Sequence, residues 1–313
     1  MLLDSTTLSQ DRSPAGKSGK VAADHPRVGS KSPADGTIKA PVAVLGATGA
    51  VGRGVVRAAI EVGRPVIAVA RNRKPLEQLR VEHRSADVSV LAITIAADAD
   101  GARLAEMLRR DGRPLAGVVD AMCSDQGRGR LIDHPSEVLG RTLDGDLLPH
   151  LAAARHLIPL LAEARRVGSY VFIGGAGSEA PWSNYGFRSV AAAGLRMLAC
   201  VLHDEGRSLD VRVQMLSIGT PVRGETPCAH HCPEWPSGLA IGRRALQLID
   251  RDRPGESASP VVRFARPAVH NEGGVESATA ATTTKGPSLP DVRSFLKALT
   301  SVARNEVDQD DTP

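Results

Sequence analysis

From Pro41 to Leu79 the chain reads PVAVLGATGAVGRGVVRAAIEVGRPVIAVARNRKPLEQL, and no other stretch restricts its possible folds so sharply. A short apolar run, Val42 to Leu45, meets a glycine-rich turn, then a helical pattern, then a second apolar run, Val66 to Ala70. This order predicts one β–α–β unit. Gly46 permits a tight turn, Gly49 has no Cβ to hold a ligand away, and Gly52 lets the new helix lie close to its strand. Ala47, Thr48, Ala50 and Val51 complete the turn. The helix start offers free N–H groups and a positive dipole end, which suit a pyrophosphate. A glycine triplet by itself also occurs as a purely structural turn; its place between strand and helix favours dinucleotide binding.

The end of the second strand bears on cofactor choice. An NAD site usually carries Asp or Glu there, to accept hydrogen bonds from the ribose hydroxyls. This chain has Arg71, Asn72 and Arg73 instead. Guanidinium groups suit a 2′-phosphate that a carboxylate would repel, so NADP(H) is expected over NAD(H). The alternative is that both arginines are solvated loop charges.

Downstream, strands and helices alternate, predicting a doubly wound parallel sheet in a single α/β domain over residues 40–267. Strands are expected at Val88–Ala96, Leu115–Met122, Tyr170–Ile173, Val211–Leu216 and Pro260–Phe264. Helices are expected at Ala102–Arg110, Leu147–Arg166, Val190–Glu205 and Leu239–Asp250. On the long second helix, Leu147, Leu151, Leu157, Leu160 and Leu161 are the expected buried face. Asp98 is expected near the adenine. Residues 1–39 are rich in Ser, Gly, Pro, Lys and Asp and read as a disordered arm. Residues 268–286 read as a linker, and residues 287–313 as a terminal helix, with Val292, Phe295, Leu296 and Leu299 on one face, and a tail.

Composition excludes several classes. The 313 residues carry a net charge of +4 scattered along the chain, and only 3% are aromatic, which argues against nucleic-acid binding. No apolar run reaches the ~20 residues that span a bilayer. The first residues lack the apolar core of a signal peptide, and four cysteines are too few for a disulfide scaffold, so a cytoplasmic protein is expected. Cys228-Ala229-His230-His231-Cys232 clusters four potential ligands, but such a short stretch cannot easily wrap a tetrahedral metal. It reads as a loop facing a pocket, and no metal site is expected. His150 and His156 read as structural histidines of the helix before strand five, and Cys123 as a packed small residue.

Between residues 41 and 265 the chain resembles the short-chain dehydrogenase/reductase superfamily. Gly46-Ala47-Thr48-Gly49-Ala50-Val51-Gly52 with Val69-Ala70-Arg71-Asn72 looks most like the atypical, NmrA-like branch of this Rossmann-fold group. Ile173-Gly174-Gly175 resembles its turn after strand five, Tyr185 to Leu195 its active-site helix, and Ser217 to Val222 the loop that lies against the nicotinamide. The resemblance adds Asp120, Ala121, Gly174, Ile218, Gly219, Thr220 and Val222 to the expected cofactor contacts.

The family mechanism uses Asn, Ser, Tyr and Lys, with the Tyr as general acid and the Lys lowering its pKa. Here Tyr185 alone stands in register. Ser189 occupies the Lys position, Gly175 the Ser position and Asp146 the Asn position. Arg188, Ser178 and Ser183 are candidate substitutes. Tyr185 also has a structural reading, as a half-buried aromatic. The resemblance implies an NADP(H)-dependent oxidoreductase that reduces a small carbonyl or enone. The alternative is a non-catalytic NADP(H)-binding regulator or scaffold. It also implies a homo-oligomer, a dimer or tetramer.

Overall fold

A computed structural model describes residues 39–124, 129–164, 167–223, 234–250 and 259–265. The chain divides into two units, Met1–Arg266 and Pro267–Pro313, and every described residue belongs to the first. The N-terminal arm, the linker, the terminal helix and the Cys228–Cys232 cluster lie outside the described residues.

The elements run β1 (Val42–Leu45), α1 (Ala50–Glu61), β2 (Val66–Ala70), α2 (Arg73–Glu82), β3 (Val88–Ala92), α3 (Asp98–Asp111) and β4 (Gly117–Asp120). They continue with α4 (Glu137–Asp146), α5 (Leu148–Ala162), β5 (Ser169–Gly174), α6 (Gly186–Gly206), β6 (Arg212–Ser217), α7 (Gly238–Asp250) and β7 (Val261–Arg263). All seven strands pair in parallel, in the order β3-β2-β1-β4-β5-β6-β7. The doubly wound sheet of the sequence reading is therefore present. Its order reverses between β1 and β4, and a crevice opens at the carboxyl ends of the strands at such a switch point.

Alternation along each buried strand sends side chains to two cores. Ala43, Leu45, Val118, Tyr170 and Phe172 face α3, α5 and α6. Val42, Val44, Val119 and Val171 face α1, α2 and α7. Apart from Tyr170, Phe172 and Met215 in the first, both cores are built of Ala, Val, Leu and Ile.

Three expectations need correction. β3 stops at Ala92, four residues short of the predicted end. The long helix after strand four does not begin at Leu147; α4 ends at Asp146 and α5 starts at Leu148. Leu147 leaves the helical region (φ −126°, ψ −53°), and Pro149, having no N–H, is suited to a first turn and not to a helix interior. Leu151 is 40% exposed, and the buried stripe of α5 instead runs through His150, Ala154, Leu157 and Leu161. That phase carries a histidine into the core.

Candidate functional site

A cavity of about 370 Å³ opens where the switch point predicts. One wall is the start of α1 (Gly49, Ala50, Val51), and the floor is Ala121, Met122 and Cys123 after β4. Ile173, Gly175 and Ala176 after β5, and Ile218, Thr220, Pro221 and Val222 after β6, form further parts of the lining. Asp146 and His150 close one side, and Trp182, Arg188, Ala191, Ala192 and Leu195 another.

Backbone packing builds the α1 wall. Gly46 has φ +73°, and a Cβ there would sit 2.5 Å from the Ala121 carbonyl oxygen. A Cβ on Gly52 would sit 2.1 Å from the Gly46 carbonyl oxygen. Both positions are therefore closed to any side chain. Gly49, by contrast, meets only the Gly46 oxygen, at 3.4 Å, so the space before α1 is open. The first turn of α1 carries no acidic residue, and no side chain caps it. Its leading N–H groups have no intrahelical acceptor. A pyrophosphate fits these features.

Other expected cofactor contacts are scattered around this wall. Ala47 is buried beneath the turn, its N–H donating to the Val69 carbonyl, and Thr48 is half-buried. Arg71, Asn72 and Arg73 are exposed just past β2. Arg73 leans on Glu77 at 3.7 Å, whereas Arg71 has no partner among the described residues. Gly174 ends β5 under Met215, and Gly219 is exposed between two lining residues. Asp98 is not at a strand end: it opens α3, and its carboxylate pairs with Arg155 (2.9 Å) and His156 (3.1 Å) of α5. The Arg155 pair ties α3 to α5, and Asp98 is not among the residues that line the cavity. Asp120 is wholly buried, and its side chain likewise points away, into the core beside α5.

The catalytic expectation fares differently. Tyr185 precedes α6, is half-buried, stacks on Trp182 with ring centroids 4.9 Å apart, and does not line the cavity. Ser189, at the Lys position, accepts from the Trp182 N–H and donates to the Tyr185 carbonyl. Its hydroxyl is engaged by backbone. Ser178 is buried and Ser183 exposed, and neither lines the cavity. Arg188 does line it, and has no partner among the described residues. Glu179 pins the loop after β5 to Arg196 (3.0 Å) and Arg263 (2.7 Å).

Sequence reasoning missed the polar cluster on the α5 side. Asp120 Oδ2 accepts from His150 Nδ1 at 2.8 Å and from the Tyr170 hydroxyl at 3.0 Å, while Oδ1 accepts from the Met122 N–H at 3.3 Å. All three side chains are at most 2% exposed. Burial pulls the His150 pKa down, but the charge and hydrogen bond of Asp120, aided by Asp146, more than reverse this and hold it above the ordinary imidazole value. Burial, then the Asp120 charge, push the Tyr170 phenol well above its usual value, so Tyr170 stays a hydrogen-bond donor. Asp146 Oδ1 accepts from the Ser124 N–H at 2.7 Å. The signal for His150 was its spacing from Leu157 and Leu161, which puts it on the inner stripe.

Among the described residues there is no cluster of three or more metal-ligating side chains, and no helix is long and apolar enough to cross a membrane.

Comparison with known proteins adds the following. A family model described as short chain dehydrogenase matches residues 40–230. A short-chain type dehydrogenase/reductase from Mycobacterium ulcerans is similar in structure, with TM-score 0.64 and 19% identity over 72% of this chain and 88% of that one. An NADPH-bound short chain oxidoreductase from Pseudomonas aeruginosa, containing an atypical catalytic center, gives TM-score 0.61 and 17% identity over 73% and 98%. A chain from Shigella flexneri described as a short chain dehydrogenase complexed with NADP gives 0.63 and 18% over 72% and 96%. At these identities the structures speak to the fold. No curated protein matches the chain by sequence. The family model and these neighbours lend no support to the NmrA-like branch.

Proposed function

This chain belongs to the short-chain dehydrogenase family, and from that premise we propose that it is an NADP(H)-dependent oxidoreductase reducing a small carbonyl or enone. The observation that carries the proposal is the cavity at the switch point, bounded by the helix start at Gly49, Ala50 and Val51, which the tightly packed Gly46 and Gly52 position, and by three polar side chains opposite. Gly46, Gly49 and Gly52, with the first N–H groups of α1, would hold the pyrophosphate. Ala121, Ile218, Thr220 and Val222 would flank the nicotinamide half. Arg71, exposed just past β2 and without a partner among the described residues, would take the 2′-phosphate. Two neighbours of the same fold bind NADPH and NADP, which is consistent with this choice. Bound there, the dinucleotide supplies or accepts a hydride.

The protein's own work is to admit a carbonyl compound, exclude water and move one proton. The lining is mostly apolar, with Trp182, Leu195, Ile218 and Val222, and suits a small, largely uncharged substrate. A binding-only role draws support from one observation: Ser189 is committed to backbone and Tyr185 lies off the cavity, so the familiar pair is not available.

A single-turnover reaction with NADPH deuterated at the transferable position separates the two readings. The enzyme reading expects deuterium in the alcohol or saturated product of at least one member of a panel of small ketones, aldehydes and enones. Tight NADPH binding without transfer to any of them supports the regulator instead.

A further inference from the structure

A carboxylate buried in the middle of a parallel sheet calls for an explanation. Asp120 ends β4 at zero exposure, with Val118 and Val119 before it. Burying an ion pair contributes little to stability, since well-packed apolar groups of the same volume serve as well or better. Asp120 has three donors, and two come from side chains on different elements: His150 of α5 and Tyr170 of β5. Of those two side chains, His150 lines the cavity and Tyr170 does not. Because an ionised carboxylate only accepts, Nδ1 is the donor to Asp120, and the nitrogen left for exchange is Nε2. Phe172 stands edge-on to the imidazole, with centroids 6.2 Å apart, and limits its rotation.

We propose that His150 is the catalytic acid of this cavity, oriented by Asp120 and Tyr170, in the role that a tyrosine–lysine pair fills elsewhere in the family. The proposal rests on the oxidoreductase reading given above. In the reductive direction the carbonyl carbon gains the hydride and its two electrons, while the dinucleotide is oxidised. The π pair of the C=O bond becomes a lone pair on oxygen, and that oxygen takes the proton from His150 Nε2. Neutral imidazole remains and recovers a proton from solvent through the open cavity. Asp120 fixes the tautomer and stabilises the imidazolium, and Tyr170 fixes Asp120; these two are positioning residues. The groups facing the imidazole are Asp120 from β4, Tyr170 from β5, Asp146 from α4 and, across the cavity, Arg188 from α6. The two carboxylates favour the protonated ring, which is the form that donates.

The test uses the full chain with ¹⁵N-labelled histidine, and three readouts. First, NMR titration without nucleotide follows the His150 imidazole, assigned by its loss in His150→Gln. The expected midpoint lies above the ordinary value of 6.5, and Asp120→Asn lowers it, because the largest charge favouring the protonated ring is removed. Second, NADPH affinity of His150→Gln stays within about twofold of wild type, as the residue is not among those assigned to hold the dinucleotide. Third, single-turnover reduction falls about a hundredfold or more in His150→Gln, the usual contribution of a positioned acid. In wild type that rate falls as pH rises through the His150 midpoint, and in Asp120→Asn the falling limb moves to lower pH with it. If His150→Gln does not fold, the shifted limb in Asp120→Asn carries the test. The proposal is overturned if His150→Gln binds NADPH and keeps its rate within about threefold, or if Asp120→Asn moves neither midpoint nor limb. Wild type that binds no NADPH overturns the oxidoreductase reading, and the proposal with it; the NMR midpoint then still reports whether the Asp120–His150 pair exists.

Discussion

The two walls of the cavity are made in different ways. The α1 wall is a helix start with small apolar residues, Gly49, Ala50 and Val51, held in place by Gly46 and Gly52 and carrying no titratable side chain. The opposite wall is side chains: Asp146, His150 and Arg188, each delivered by a different helix. The first wall depends on contacts between residues close in sequence, such as Gly46 against Gly52. The second depends on how α4, α5 and α6 sit against β4 and β5. A site of the first kind is specified largely by local pattern and tolerates no added atoms at Gly46 and Gly52. A site of the second kind is specified by tertiary register and can exchange one acid for another.

The strongest way to break the first wall is Gly52→Val. Its Cβ would fall 2.1 Å from the Gly46 oxygen, so α1 must be pried from β1. Overpacking of this sort costs about 3 kcal/mol, and a domain of this size then melts roughly 6–12 °C lower. Differential scanning calorimetry checks this, and an unchanged melting temperature would show that the turn is looser than described. Nucleotide affinity should be lost together with stability, because one packing contact serves both.

Tyr185→Phe sharpens the comparison from the other side and has a smaller expected effect. The ring packs on Trp182 outside the cavity lining, so removing its hydroxyl should change the single-turnover rate by less than about threefold, well short of the 10²–10⁴ of a general acid. A loss of a hundredfold would return the acid's role to the tyrosine and make the position of the loop after β5 the part of the description to revise.

Legibility in the sequence follows the same division. The glycine turn, the alternation of strands and helices, and the parallel sheet were readable because each rests on local pattern: short apolar runs, glycine spacing and a 3.6-residue period. The split between α4 and α5 was signalled by Pro149 but masked by the continuous run of leucines. Reading Leu151 as buried put the α5 stripe out of phase, and with it went His150. Asp120 was counted among the cofactor contacts on the resemblance; nothing local shows which face of β4 its side chain takes. Tyr170 lies two positions along β5 from Asp120's pairing partner Phe172, a relation fixed only by the β4–β5 register. Asp98 was assigned to adenine from its position after a strand, and its partners Arg155 and His156 lie on α5, more than fifty residues away in sequence. Resemblance identified the family, yet it directed attention to Tyr185, which does not line the cavity, and to Ser189, whose hydroxyl is engaged by backbone.

The most direct test of the account is a calorimetric titration of the full chain with NADPH and with NADH, on wild type and on Arg71→Glu. The account predicts that wild type binds NADPH more tightly than NADH, and that Arg71→Glu weakens NADPH by roughly ten- to a hundredfold, since a charge-assisted hydrogen bond is replaced by repulsion. NADH binding should change by less than about threefold. Absence of binding by either nucleotide would contradict the central claim that the glycine-lined wall is a dinucleotide site.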